Sequence, residues 1–134
     1  MRITSLFLAP LLAAAAAHAQ TTHDVLVDGF DFTPKDIAIQ AGDTVRWTWG
    51  QGLHDVESGS GGVHDGIFDS GAPVLGAGIT FQVLFDAAFL AANPVPGDVY
   101  NYYCTIHVPF GMDGTVTVNT GPTITPYGCT NPQG

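Results

Sequence analysis

Six consecutive residues, Thr44-Val45-Arg46-Trp47-Thr48-Trp49, alternate polar and apolar without a break. Neighbouring side chains of an extended strand point to opposite faces, so this spacing puts Val45, Trp47 and Trp49 on one side and Thr44, Arg46 and Thr48 on the other. A helix would turn the two tryptophans away from each other and leave no apolar face to bury. The segment therefore folds as a half-buried strand, and the rest of the chain must supply a sheet around it. Ile79-Thr80-Phe81-Gln82-Val83-Leu84-Phe85 repeats the alternation, as does Asp36-Ile37-Ala38-Ile39-Gln40, which ends in the turn signal Ala41-Gly42-Asp43.

Shorter strand signals complete the pattern: Val25-Leu26-Val27, Phe30-Asp31-Phe32, the aromatic run Val99-Tyr100-Asn101-Tyr102-Tyr103-Cys104, and Gly114-Thr115-Val116-Thr117-Val118. Only Ala87 to Ala92 reads as helical, for little more than one turn before Asn93-Pro94 breaks it. Strands at this spacing predict an all-β, two-sheet antiparallel sandwich with Greek-key links. Its core is expected to hold Trp47, Trp49, Phe81, Tyr100 and Tyr102. Gly50 to Gly78 is rich in Gly and Ser and reads as a loop excursion, while Thr, Pro and Gly dominate from Thr120 onward as in a tail.

The N-terminal segment is read separately. Met1-Arg2 is a short positive start, Ile3 to Ala17 is apolar apart from Thr4 and Ser5, and Ala17-His18-Ala19 offers small residues where a signal peptidase reads them. Cleavage after Ala19 would leave a chain beginning at Gln20. The apolar run is shorter than the roughly 20 residues of a spanning helix, and no later stretch could cross a bilayer. The expected organisation is a signal peptide over 1–19, one β domain over 20–119 and a tail over 120–134, exported to a periplasm or the extracellular space. The formal net charge of -9 excludes a nucleic-acid binder, since no basic stripe faces phosphates. A charged fraction of 11% against 46% hydrophobic residues excludes a disordered acidic chain.

Two cysteines are too few for a disulfide scaffold or a four-thiolate cluster. One of them heads Cys104-Thr105-Ile106-His107-Val108-Pro109-Phe110-Gly111-Met112, which places a thiolate, an imidazole and a thioether within nine residues. Soft sulfur with imidazole selects copper over magnesium, calcium or manganese, and two His, one Cys and a weak axial Met make the electron-transfer kind of copper site. The second imidazole must come from elsewhere. His54, just beyond the Trp47–Trp49 strand, is the natural candidate. His64 in the Gly-rich excursion is its rival, and His23 is weaker.

These residues resemble the cupredoxins, the small blue copper proteins, and within them the plastocyanin and pseudoazurin branch. The family's C-terminal ligand pattern C-x-x-H-x-x-x-x-M, with Gly before Met, matches Cys104, His107, Gly111 and Met112 position for position, and Gly42-Asp43-Thr44-Val45-Arg46-Trp47 resembles the strand that leads to its first His. The resemblance runs from about Val25 to Asn119. It implies a Greek-key β-sandwich or barrel and one type 1 copper ion held by His54, Cys104, His107 and Met112. It also implies a monomeric electron carrier, not an enzyme, that meets redox-partner proteins in transient complexes. The solvent edge of His107, collared by Val108, Pro109 and Phe110, would be the electron port.

Two positions depart from the family. Asp55 follows the first His where Asn is common, and Ile106 stands where plastocyanins usually carry Pro, so the Ile106 N–H is expected to add a hydrogen bond to the Cys104 sulfur. Two other readings stay open on the residues alone. The same ligands could sequester or deliver copper, or a Cys104–Cys129 disulfide could staple a metal-free structural sandwich.

Overall fold

The computed structural model describes residues 18–121. Strands β1 (Thr22–Asp28), β2 (Asp31–Thr33), β3 (Asp36–Gln40), β4 (Thr44–Trp49), β5 (Leu53–His54), β6 (Glu57–Ser60), β7 (Val63–Asp69), β8 (Val74–Leu75) and β9 (Thr80–Leu84) precede the short helix α1 (Ala87–Ala92), and β10 (Val99–Tyr103) and β11 (Asp113–Asn119) follow it. One sheet runs β2-β1-β4-β9, the other β3-β11-β10-β6-β7, and β5 pairs with β8 as a separate ribbon.

Register lines up the apolar faces. Val25 stands opposite Trp47, and Val27 opposite Trp49, across β1 and β4, while Trp47 stands opposite Phe81 across β4 and β9. The facing sheet offers Phe68 and Tyr102, whose rings lie 5.7 and 5.2 Å from that of Trp47. Phe85, Phe89 and Tyr100 form a second aromatic group. Trp47, Trp49, Tyr100 and Tyr102 are buried as expected, and Phe81 is half-buried against them. An aromatic side chain hiding about 200 Å² contributes about 5 kcal/mol at about 25 cal/mol per Å², before ordering costs. The four fully buried rings thus dominate cohesion between the sheets.

The sandwich is not wholly antiparallel as expected: β1 pairs with β4, and β3 with β11, in parallel. Alternation reports which face is buried but not which way a neighbour runs. Direction follows from the crossover connections, which only the closed fold displays. The Gly50–Gly78 excursion is also more ordered than a loop, since β5 to β8 lie within it and the β6–β7 hairpin joins the second sheet beside β10. Its strands lack an apolar alternation because polar contacts hold them. The buried Ser58 hydroxyl accepts from the Ile67 and Phe68 amides at 3.1 and 2.8 Å and donates to Asp65 at 2.5 Å. Gly59 permits this hairpin, for at φ +134° a Cβ there would lie 2.0 Å from the Val63 carbonyl oxygen.

Helix α1 forms where read: Asp86 caps it by accepting from the Phe89 amide at 2.8 Å, and Asn93 closes it. At the start of β4, buried Asp43 accepts from the amides of Thr21 and Gln40 and from His23 and His18, at 2.9–3.0 Å. Burial alone would raise its carboxyl; the bonds from His23, the Gln40 and Thr21 amides and His18 hold it far below the ordinary 3.8. This knot fastens the start of β1. The other end of β4 leads into the site.

Candidate metal centre

Two short segments meet at the pole where β4 and β10 end. The first is the turn from β4 into β5. There the Trp49 indole N–H donates to the His54 carbonyl at 3.1 Å, and the His54 Nε2–H donates to the Gln51 carbonyl at 2.9 Å. That bond selects the tautomer whose Nδ1 carries a free lone pair, the usual way a metal-binding histidine is oriented. Gly52 makes the close turn possible: at φ +101°, a Cβ there would come 2.7 Å from His54 Nε2.

The second segment runs from Cys104 to Met112. The amides of His107 and Val108 return to the Cys104 carbonyl at 3.2 and 2.8 Å, the Phe110 amide donates to His107, and the Cys104 amide donates to the Met112 carbonyl at 3.0 Å. Gly111, at φ 85°, ends the short turn in the left-handed region and lets the chain enter β11. Backbone bonds therefore set Cys104, His107 and Met112 relative to one another.

The segments bring three donor atoms together. Cys104 Sγ lies 3.8 Å from His54 Nδ1 and 3.6 Å from His107 Nδ1, and the two nitrogens are 3.2 Å apart. The point equidistant from three atoms so spaced is about 2 Å from each, close to the 2.0–2.3 Å that imidazole nitrogen and thiolate sulfur keep from a four-coordinate zinc ion. The free, buried thiol, the two imidazole nitrogens and the fully buried Met112 in the same apolar cluster fit a soft ion such as copper. Burial pushes the Cys104 thiol up, opposed by backbone hydrogen bonds from Asp55 and His107. His107 is held below its usual value by burial and by the neighbouring His54.

Of the other histidines, His64 lies on β7 with Nδ1 2.9 Å from the Ser58 carbonyl, and His23 is engaged with Asp43. His64 shares a separate, mostly exposed cluster with Glu57 and Asp69 that contains no sulfur. The backbone groups favouring the thiolate are those of Asp55 and His107; the expected Ile106 donor is not among them. The tight return of the chain onto the Cys104 carbonyl brings the amide three residues on, not two, back to Cys104. Cys129, and with it the disulfide alternative, lies outside the described residues, as do residues 1–17 of the signal segment and 122–134 of the tail.

Three further groups contribute to the centre, and of these only Asp55 stood out in the sequence, as a departure from the family. Phe30, read as part of a strand, lies in the β1–β2 turn with its ring edge-on to His107 at 5.0 Å and 5.3 Å from Phe110. The other two are the Gln51 carbonyl, which orients His54, and the Asp55 carboxylate, which accepts from the Thr105 amide at 2.7 Å and its hydroxyl at 2.5 Å. Backbone carbonyls carry no sequence signal, but an aromatic directly after Asp28-Gly29 could have drawn attention to Phe30.

The profile of copper-binding proteins of the plastocyanin/azurin family matches residues 19–119. The chain is a cupredoxin of that family. This cupredoxin is 33% identical over 118 residues to a plastocyanin of Prochlorothrix hollandica, covering 81% of this chain and 80% of the relative. A purple cupredoxin from Nitrosopumilus maritimus superposes with a TM-score of 0.55 at 27% identity, over 72% of this cupredoxin and 98% of that chain. The fold alone is shared with the oxidized plastocyanin of Dryopteris crassirhizoma, at TM-score 0.53 and 23% identity, over 72% of this chain and all of that one. Family and relatives make the chain a copper-binding electron carrier in the general sense. Among the described residues no helix is long and apolar enough to cross a membrane.

Proposed function

We propose that this cupredoxin is an exported single-electron carrier whose His54, Cys104, His107 and Met112 hold one copper ion as a type 1 site. The observation that carries the reading is the convergence of the Cys104 thiol with two imidazole nitrogens at 3.2–3.8 Å, with the His54 ring oriented by the Gln51 carbonyl. Copper bound there supplies a one-electron couple between Cu(II) and Cu(I), which its soft ligands support in both states. The chain's part is to hold that ligand set still. His54, Cys104 and Met112 are fully buried, which excludes water, and four protein ligands leave no open position such as catalytic metal sites keep.

The port is the half-buried His107 edge. Phe30 and Phe110, 55% and 71% exposed, flank it with an apolar rim suited to small, short-lived contacts with redox-partner proteins. The match over residues 19–119 supports one domain between a signal peptide at 1–19 and a tail at 120–134.

Adding Cu(II) to the reduced protein should produce an intense blue thiolate-to-copper band and a reversible one-electron voltammetric wave, both lost in Cys104→Ser. A colourless protein, or one whose copper passes quickly to a weak chelator, would count against the carrier and point to a structural or copper-delivery role. N-terminal sequencing of the exported protein should begin at Gln20.

A further inference from the structure

We propose that Glu57, His64 and Asp69 form a second metal site, on the β6–β7 hairpin, that takes a zinc ion and shares no ligand with the copper centre. A ring nitrogen of His64 and one carboxylate oxygen each from Glu57 and Asp69 all lie within 4.8 Å of one another. Three atoms so spaced share a point no more than about 2.8 Å from each. A small turn of the exposed Asp69 side chain closes that to the roughly 2.0–2.2 Å that zinc keeps from nitrogen and oxygen. In a regular strand His64 and Asp69, an odd number of residues apart, would face opposite ways. Here Glu57 stands opposite Asp69 and Gly59 opposite His64, so β7 spends five residues where β6 spends two. That bulge, gathered on the Ser58 hydroxyl, re-aims the side chains to one side. The Ser58 carbonyl, 2.9 Å from His64 Nδ1, anchors the ring, and Nδ1 lies 3.7 Å from Glu57 Oε1. The buried Tyr103 hydroxyl donates to Glu57 Oε2, the kind of outer partner that steadies a ligating carboxylate.

Charge supplies a second and independent reason. Glu57 and Asp69 are directly opposed across two antiparallel strands, where like charges destabilise the pairing. Among the described residues Lys35 pairs with Asp113 and Arg46 with Asp24, so neither lysine nor arginine answers these carboxylates. A divalent cation between them does. The donor set selects which one: imidazole beside carboxylates suits zinc, whereas calcium and magnesium take oxygen ligands. With no sulfur in the set, excess copper would enter only after the thiolate centre is filled, and it would add no blue band.

Zinc(II) titrated calorimetrically into the copper-loaded protein should bind as one equivalent at micromolar concentration and leave the blue band intact. His64→Ala and Asp69→Asn change exposed side chains, so both should fold, and each should weaken zinc binding at least tenfold. In the Cu(I)-loaded protein, zinc should shift the ring NMR signals of His64 and leave those of His54 and His107 in place. A hundredfold excess of calcium should not displace it. No binding below millimolar zinc, equal affinity in both variants, or displacement by calcium would overturn the site. So would a blue band that fades as zinc is added, since the ion would then have entered the copper centre. A wild-type protein with no blue band would sink the copper reading alone, because the His64 signals still report on the hairpin.

Discussion

Replacing Asp43 by Asn should destabilise the domain without touching the metal centre. The carboxylate is 2% exposed and receives bonds from the Thr21 and Gln40 amides and from His23; the further bond from His18 is absent from a chain that begins at Gln20. An Asn side chain turns one of its two acceptor ends into a donor facing donors. Stranding a buried donor costs about 1–3 kcal/mol, and two stranded donors put the loss near 3 kcal/mol. For a domain of this size that lowers Tm by roughly 12–15 °C.

The pH dependence has a definite sign. The folded carboxyl lies below its ordinary value of 3.8, so its stabilisation is complete above about pH 4 and is lost as pH falls toward the folded value. Circular dichroism melts of wild type and Asp43→Asn from pH 6 to pH 2 should therefore show a wide gap that closes with acid. Asp43 precedes β4 while His54 follows it, so the strand's length, at about 3.3 Å per residue, separates them. The blue band should be the same in both proteins. A gap below about 1 kcal/mol at pH 6, or one equally wide at pH 2, would refute the assignment of Asp43 as an ionised clamp.

Other substitutions test the site from different sides. Gly52→Ala adds a Cβ 2.7 Å from His54 Nε2 in a left-handed backbone, so it should displace His54 from the Gln51 carbonyl and weaken copper retention at least tenfold, read by competition with a chelator. His54→Ala should abolish the blue band, whereas His64→Ala, whose imidazole sits on the Ser58 carbonyl away from Cys104, should leave band and copper stoichiometry unchanged in a visible titration. Phe110→Ala should slow electron exchange with a redox partner by about tenfold in stopped-flow mixing while leaving the potential nearly unmoved, because the 71% exposed ring belongs to the docking rim and not to the ligand set.

Strands set by local chemistry differ from strands set by distant partners. Thr44–Trp49 and Asp36–Gln40 are strands over the very residues whose alternation marked them, and Ala87–Ala92 is the helix. Local chemistry suffices there, since each segment buries one face and ends at its own turn residue. The hairpin of β6 and β7 escaped notice because Glu57-Ser58-Gly59-Ser60 has no apolar period. It owes its place to the Ser58 hydroxyl and to β10 beside it, partners distant in sequence.

The site divides the same way. Cys104, His107 and Met112 lie on one short segment, so their spacing alone made them visible, and the soft donor set spoke for copper before any coordinates. The β alternation, the aromatic core and three donors on one loop were legible in the residues alone, because each is a property of near neighbours in the chain. It took the closed fold to set β1 parallel to β4, to bring His54 and not His64 to 3.8 Å from the Cys104 sulfur, and to place Phe30 and Asp55 beside the centre. Those facts belong to pairs of segments up to tens of residues apart, and such pairs acquire a distance only when the sheets close.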